Sequence, residues 1–89
     1  MSQPETLDLK ISPGEIYEDC SYHPCICMGV DSGFVRGVSL IDGSQPRQCD
    51  LRMCGVRLLS PAEAWEIKQH GPSDPEGRAS IPLQQRWWR

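Results

Sequence analysis

Five cysteines and a histidine fall into two clusters: Cys20, His23, Cys25 and Cys27, then Cys49 and Cys54. Each cluster holds a C-x4-C pair, Cys20/Cys25 and Cys49/Cys54. A thiolate binds a soft metal, pairs with a second sulfur or attacks an electrophile. Zinc takes four ligands at tetrahedral angles, with S–Zn near ~2.3 Å and pairs commonly spaced C-x2–4-C. The ligand set expected for a structural zinc is therefore Cys20, Cys25, Cys49 and Cys54, with His23 or Cys27 as the substitute. Cys25 and Cys27 point the same way if they lie on a strand. Such a site forms only if the two clusters converge in space.

Two other fates compete for the same residues. Reduced cysteines pack as small apolar side chains, or two of them form a disulfide or redox pair. A catalytic set also exists on paper: Cys25 as nucleophile, His23 as base, Asp42 as orienter. A folding body of about sixty residues leaves little room for an enclosed substrate pocket. Asp42, in Ile41-Asp42-Gly43-Ser44, is more simply a turn former that caps local amides. The catalytic reading is therefore set aside in favour of a non-enzymatic protein. Glu18 and Asp19, just before Cys20, read as a solvated acidic edge.

The elements that must position these residues belong to one small domain of 89 residues and net charge −3. Residues 1–11 read as an arm, in which Leu7, Leu9 and Ile11 alternate. Residues 12–70 are the folding body, and residues 71–89, broken by Pro72, Pro75, Gly77 and Pro82, read as a flexible tail. Glu15–Glu18 is a short strand, and Cys25–Val30 is a second, with Ile26, Met28 and Val30 on one face and Cys25 and Cys27 on the other. Asp31-Ser32-Gly33 supplies a hairpin turn into Phe34–Ile41, expected as the longest strand. One more strand is expected at Val56–Leu59. Ser60-Pro61-Ala62-Glu63 combines an N-cap serine, a first-turn proline and a capping-box glutamate, which predicts a helix over 61–69. Trp65 is its expected anchor against the sheet. The fold class is mainly β with one C-terminal helix, as a small bent sheet or an SH3-like barrel.

Charge is uneven. Six acids precede residue 32 against Lys10 alone, while Arg36, Arg47, Arg52 and Arg57 gather later. A mixed solvated surface is the simplest reading. The acidic balance argues against nucleic acid as the partner. The chain lacks a basic-then-apolar leader at its start and any ~18-residue apolar run, so a cytoplasmic protein with reduced thiols is expected.

Tyr17-Glu18-Asp19-Cys20 through His23-Pro24-Cys25, then Ser39-Leu40-Ile41-Asp42-Gly43 and Cys54-Gly55-Val56-Arg57, resemble the pattern of a family of small bacterial proteins without an established activity. The resemblance spans about residues 14–68. It implies a bacterial, cytosolic origin and carries over no catalytic or binding residues. The expected function is a binding or interaction protein for another protein or peptide, with zinc as the conceivable cofactor. Arg36, Arg47, Arg52, Arg57, Trp87 and Trp88 are the candidate partner-binding residues. A thiol-dependent redox or transfer protein and a nucleic-acid-binding module are the alternatives.

Overall fold

The computed structural model describes residues 11–53 and 56–88. The expectations for the arm before Ile11, including Leu7 and Leu9, for Cys54 and for Arg89 lie outside the described residues. Five antiparallel strands form one sheet: β1 (Ile16–Glu18), β2 (Pro24–Asp31), β3 (Phe34–Ser39), β4 (Cys49–Asp50) and β5 (Arg57–Leu59). Their spatial order is β4-β3-β2-β1-β5, so the last strand returns beside the first. Three further elements follow: α1 (Pro61–His70), α2 (Pro75–Ser80) and a 3-10 turn at Leu83–Gln85. The chain is mainly β, and of the two expected forms the small open sheet is the one observed.

The β2–β3 hairpin turns at Ser32 and Gly33, both at positive φ (55° and 83°). Two left-handed residues in succession give the hairpin turn whose twist matches its strands. β2, not the segment after the hairpin, is the longest strand. β3 stops at Ser39 because Ser39 Oγ accepts from the amides of Ile41 (3.0 Å) and Asp42 (3.4 Å), which bends the chain out of the ladder. The register slips between Cys27 and Gly29, and this bulge leaves Met28 exposed. β4 was not expected from the sequence. It is two residues long, too short to show a period.

Strand register decides which residues share a face. Tyr17 lies opposite Cys25 and Leu58, Cys27 opposite Gly37, and Val35 opposite Cys49. Tyr17, Cys25, Cys27, Val35 and Cys49 join Ile11 and Leu51 in one buried cluster. The cysteine face of β2 is thus the core face, and Ile26, Met28 and Val30 are the exposed ones. Gly37 makes this possible: a Cβ there would come within 2.6 Å of Tyr17 Oη.

The opposite face of the sheet carries a second cluster. Ile16 and Leu59 pack there with Ala64 and Ile67 of α1 and with Trp87. α1 begins at the expected residue. Ser60 Oγ accepts from the Glu63 amide at 3.1 Å, and Glu63 Oε1 accepts from the Ser60 amide at 2.7 Å. A cap of this kind contributes about 1 kcal/mol. Trp65, expected as the anchor, is instead 56% exposed. The stripe that meets the sheet runs through Ala64 and Ile67, and the large apolar cover comes from Trp87, whose Nε1 donates to Ile67 O at 2.9 Å.

Residues 71–88, expected as a flexible tail, fold back onto the domain. Arg78 Nη1 donates to His70 O (2.6 Å) and Pro72 O (3.1 Å), and Arg86 Nε donates to Ile81 O (2.7 Å). The guanidinium groups of Arg78 and Arg86 sit over the Trp88 ring, at 5.3 and 5.9 Å. Among the described residues no helix is long and apolar enough to cross a membrane.

Candidate functional site

A partly open cleft of about 560 Å³ forms where three segments meet: the turn Cys20–His23, the loop carrying Ile41, Asp42 and Arg47, and the returning C-terminal residues Ser80–Pro82, Gln85 and Trp87. Each wall has a local cause. Asp19 Oδ1 accepts from the amides of Ser21 and His23, both at 2.9 Å, and the Asp19 amide donates to His23 O at 3.0 Å. These bonds wrap the turn around the carboxylate and drive Tyr22 to a positive φ of 67°. The Tyr22 ring then lies on Gly77 of α2, where a Cβ would come within 2.6 Å of Cδ1, and this contact docks the C-terminal wall.

Asp19 also reaches across the fold. Its Oδ2 accepts from Arg47 Nε at 2.9 Å, with the Asp19 side chain 4% and the Arg47 side chain 21% exposed. Tyr17 Oη donates to Arg47 O at 2.6 Å. Burial, with Cys25, Cys49 and Asp19 nearby, pushes the Tyr17 hydroxyl upward, so it stays a donor. Glu18 pairs with Arg57 Nε at 2.9 Å and is itself buried. The acidic edge expected to be solvated is therefore two inward carboxylates that hold two arginines. Two of the early acids thus pair across the fold with two of the later arginines.

His23 stands between the cleft and the sheet. Its Nδ1 and Ser39 Oγ share a hydrogen bond of 2.8 Å. Because Ser39 Oγ already accepts from two amides, its own proton is the one left to give, which places the imidazole proton on Nε2. Burial first, then the Arg47 charge, lowers the His23 pKa against the pull of Asp19 and Asp42. The ring meets Trp87 edge-on at 4.8 Å. Asp42 Oδ1 accepts from Ser44 Oγ (2.7 Å) and Ser44 N (2.9 Å), the turn-capping role expected of it.

The two sulfur clusters do approach one another, through one pair. Cys20 Sγ and Cys49 Sγ lie 3.2 Å apart across 29 residues. Two thiolates sharing one zinc at ~2.3 Å would stand about 3.8 Å apart, so this pair is closer than two ligands of a common ion. Cys25 is fully buried, with Sγ donating to His23 O at 3.4 Å, and burial pushes its thiol up to about 12. Cys27 is buried as well, and burial raises its thiol too. Among the described residues no three His, Cys, Asp or Glu side chains gather as a metal site. Of the expected zinc ligands, Cys20 and Cys49 are together, Cys25 is turned into the core, His23 is engaged with Ser39, and Cys54 lies outside the described residues. The paper triad of Cys25, His23 and Asp42 is not assembled, since Cys25 offers its proton to a backbone carbonyl and His23 turns Nδ1 to a serine.

The candidate partner-binding residues are dispersed. Arg47 and Arg57 serve the ion pairs above, Arg52 pairs with Asp50 at 3.1 Å, and Arg36 lies across Gly29. Trp87 and Trp88 meet edge-on at 4.9 Å, with Trp87 alone of the two lining the cleft. Sequence reasoning missed Asp19, Ser39 and Tyr22 as builders of the site. Only Asp19 left a signal, an Asp followed by amides at i+2 and i+4 before a proline. Compared with protein-family models, curated proteins and solved structures, the chain matches none.

Proposed function

We propose that this chain is a non-enzymatic binding protein that receives an extended, polar peptide segment of another protein in the cleft beside His23. The observation that carries this reading is the cleft itself, about 560 Å³ and open to solvent, where separate stretches of chain supply both hydrogen-bonding and apolar side chains. Ser21, Asp42 and Gln85 are exposed at its mouth, while Ile81 and Trp87 provide an apolar wall. Few, well-placed polar groups on a fixed apolar wall are what a peptide-sized site needs.

Selection of displayed random peptides on the immobilised full chain tests it, followed by mapping the winners by NMR. Bound peptides are expected to shift the resonances of Ser21, His23, Asp42 and Gln85. Ser21→Arg and Gln85→Arg, both at exposed positions, are expected to weaken binding at least tenfold without altering the fold. Peptides that bind elsewhere, such as the exposed Ile26 and Met28 side of β2, overturn the proposal, as does a failure to select any.

A resident zinc is the second reading: Cys20 and Cys49, two of its expected ligands, are brought together from the two clusters, at 3.2 Å, and a shared ion would part them to about 3.8 Å. Native mass spectrometry of the purified chain checks it. One zinc per chain, and a melting temperature that falls with chelator, support it; metal-free protein that melts unchanged removes it.

A further inference from the structure

The contact between Cys20 and Cys49 has a construction of its own, independent of any peptide in the cleft. Cys20 is exposed, in the turn after β1; Cys49 is buried, at the start of the edge strand β4. Both are held from the neighbouring residues. Asp19, one residue before Cys20, binds Arg47, two residues before Cys49. The Tyr17 hydroxyl holds the same Arg47 through its carbonyl. The sulfurs therefore belong to two segments that are clamped together without needing a bond between them. A disulfide is ~2.05 Å long, against the 3.2 Å between these sulfurs. Side-chain rotation and a small shift of the exposed turn cover that difference.

The pair is also asymmetric in the way exchange chemistry requires. The entering sulfur must be reachable, and the second must be close but shielded, so that it attacks only its neighbour. Cys20 lines the cleft, open to a small reagent, while Cys49 sits behind it in the buried cluster. Cys25 and Cys27 lack these features, being enclosed in the core.

We propose that Cys20 and Cys49 form a reversible disulfide by exchange with a low-molecular-weight disulfide, Cys20 taking the first sulfur and Cys49 resolving it. The Cys20 thiolate attacks one sulfur of the small disulfide. A bond forms between Cys20 Sγ and that sulfur, the reagent's own S–S bond breaks, and one small thiolate leaves and takes up a proton. Cys49 then loses its proton to solvent, attacks Cys20 Sγ and expels the second small thiolate, which is protonated in turn. The protein gives up two electrons and two protons, and one small disulfide becomes two small thiols. An excess of small thiol reverses both steps.

The test uses the full reduced chain, treated with chelator and equilibrated with graded ratios of oxidised to reduced glutathione. Remaining thiols are then alkylated and mapped by mass spectrometry. Trypsin cuts after Arg36, Arg47 and Arg52, which places Cys49 and Cys54 on different peptides; chymotrypsin cuts after Tyr22 and parts Cys20 from Cys25. Wild type is expected to lose two alkylatable thiols, to carry no glutathione, and to yield a cross-link between Cys20 and Cys49. Cys49→Ser is expected to retain one glutathione on Cys20, and Cys20→Ser to take up none at Cys49. A stable glutathione adduct on wild-type Cys20, a cross-link to Cys54 in place of Cys49, or thiols that stay fully alkylable at every ratio would overturn the proposal. So would a stoichiometric zinc that survives the chelator and blocks oxidation. If Cys49→Ser does not fold, the wild-type peptide map alone decides between these outcomes.

Discussion

Cys25 and Cys27 stand in the first half of β2 against Tyr17 and Val35, whereas Cys20 and Cys49 meet where a turn approaches the edge strand β4. The first pair is sealed in an apolar layer that raises both thiols, Cys25 to about 12, so that both stay protonated at neutral pH. The second pair has one exposed residue, Cys20, and an ion pair bracing the segments behind it. Residue type is shared, and Cys49 lies in the same buried cluster as Cys25 and Cys27; what sets the second pair apart is its exposed partner Cys20. The difference teaches that reactivity here is assigned by burial and bracing, and that the C-x4-C spacing groups together residues with unlike roles.

The largest expected effect comes from removing the wall that both pairs share. Tyr17→Ala deletes a fully buried ring beside Cys25, Cys27 and Cys49 and frees the Arg47 carbonyl. It is expected to cost about 3–5 kcal/mol in a urea titration. If Cys25 then reacts with iodoacetamide in native buffer as fast as Cys20, the contrast between the pairs is due to packing alone.

Asp19→Ala acts on one pair only. It strips the partner from a half-buried arginine and two turn amides of their acceptor. Arg47 keeps some water contact, so a loss of about 3 kcal/mol is expected, at the low end for a broken buried pair. Calorimetry measures that loss, while alkylation mapping is expected to show Cys20–Cys49 cross-linking reduced and Cys25 still protected.

Serine scanning sharpens the comparison further. Cys25→Ser buries a hydroxyl in the apolar layer and is expected to destabilise by about 1–3 kcal/mol. Cys20→Ser, at an exposed turn position, is expected within about 0.5 kcal/mol of wild type. Equal losses in the two variants would contradict the division drawn here.

The smallest effect is electrostatic. Hydrogen bonds from Ser44, its hydroxyl first and then its amide, hold the Asp42 carboxyl down at about 2. A folded-state pKa below the ordinary ~3.9 stabilises the fold above that value, and the stabilisation is lost as pH falls through about 2. Asp42 is exposed, so solvent screening limits the effect to below ~0.5 kcal/mol. Acid titration of Asp42→Asn against wild type is expected to show a variant less stable by up to ~0.5 kcal/mol at neutral pH, with a shallower loss between pH 4 and pH 2 where the two converge.

Much of the local structure was legible in the chain. The Asp31–Gly33 hairpin and the Ser60–Glu63 capping box are short-range devices, written in residues that touch each other. The alternation of β2 was legible too, though not which side faces inward; Cys25 and Cys27 are smaller than Ile26 and Met28, and only the packing of Tyr17 onto Gly37 made the cysteine side the core. The contacts of residues 71–88 were not legible, because their prolines and glycines signal breaks while their anchors are single long-range contacts, Trp87 to Ile67 and Tyr22 to Gly77, that leave no period.

By itself the sequence determined a small, mainly β chain, its main hairpin, the capped helix α1 and the fact that sulfur chemistry was available, since these depend on neighbours along the backbone. Only the tertiary structure decided which sulfurs meet, which are sealed away and where a cleft opens. Those outcomes rest on the Asp19–Arg47 clamp and the curl of the sheet. They bring together residues dozens of positions apart, and no local propensity encodes their distance.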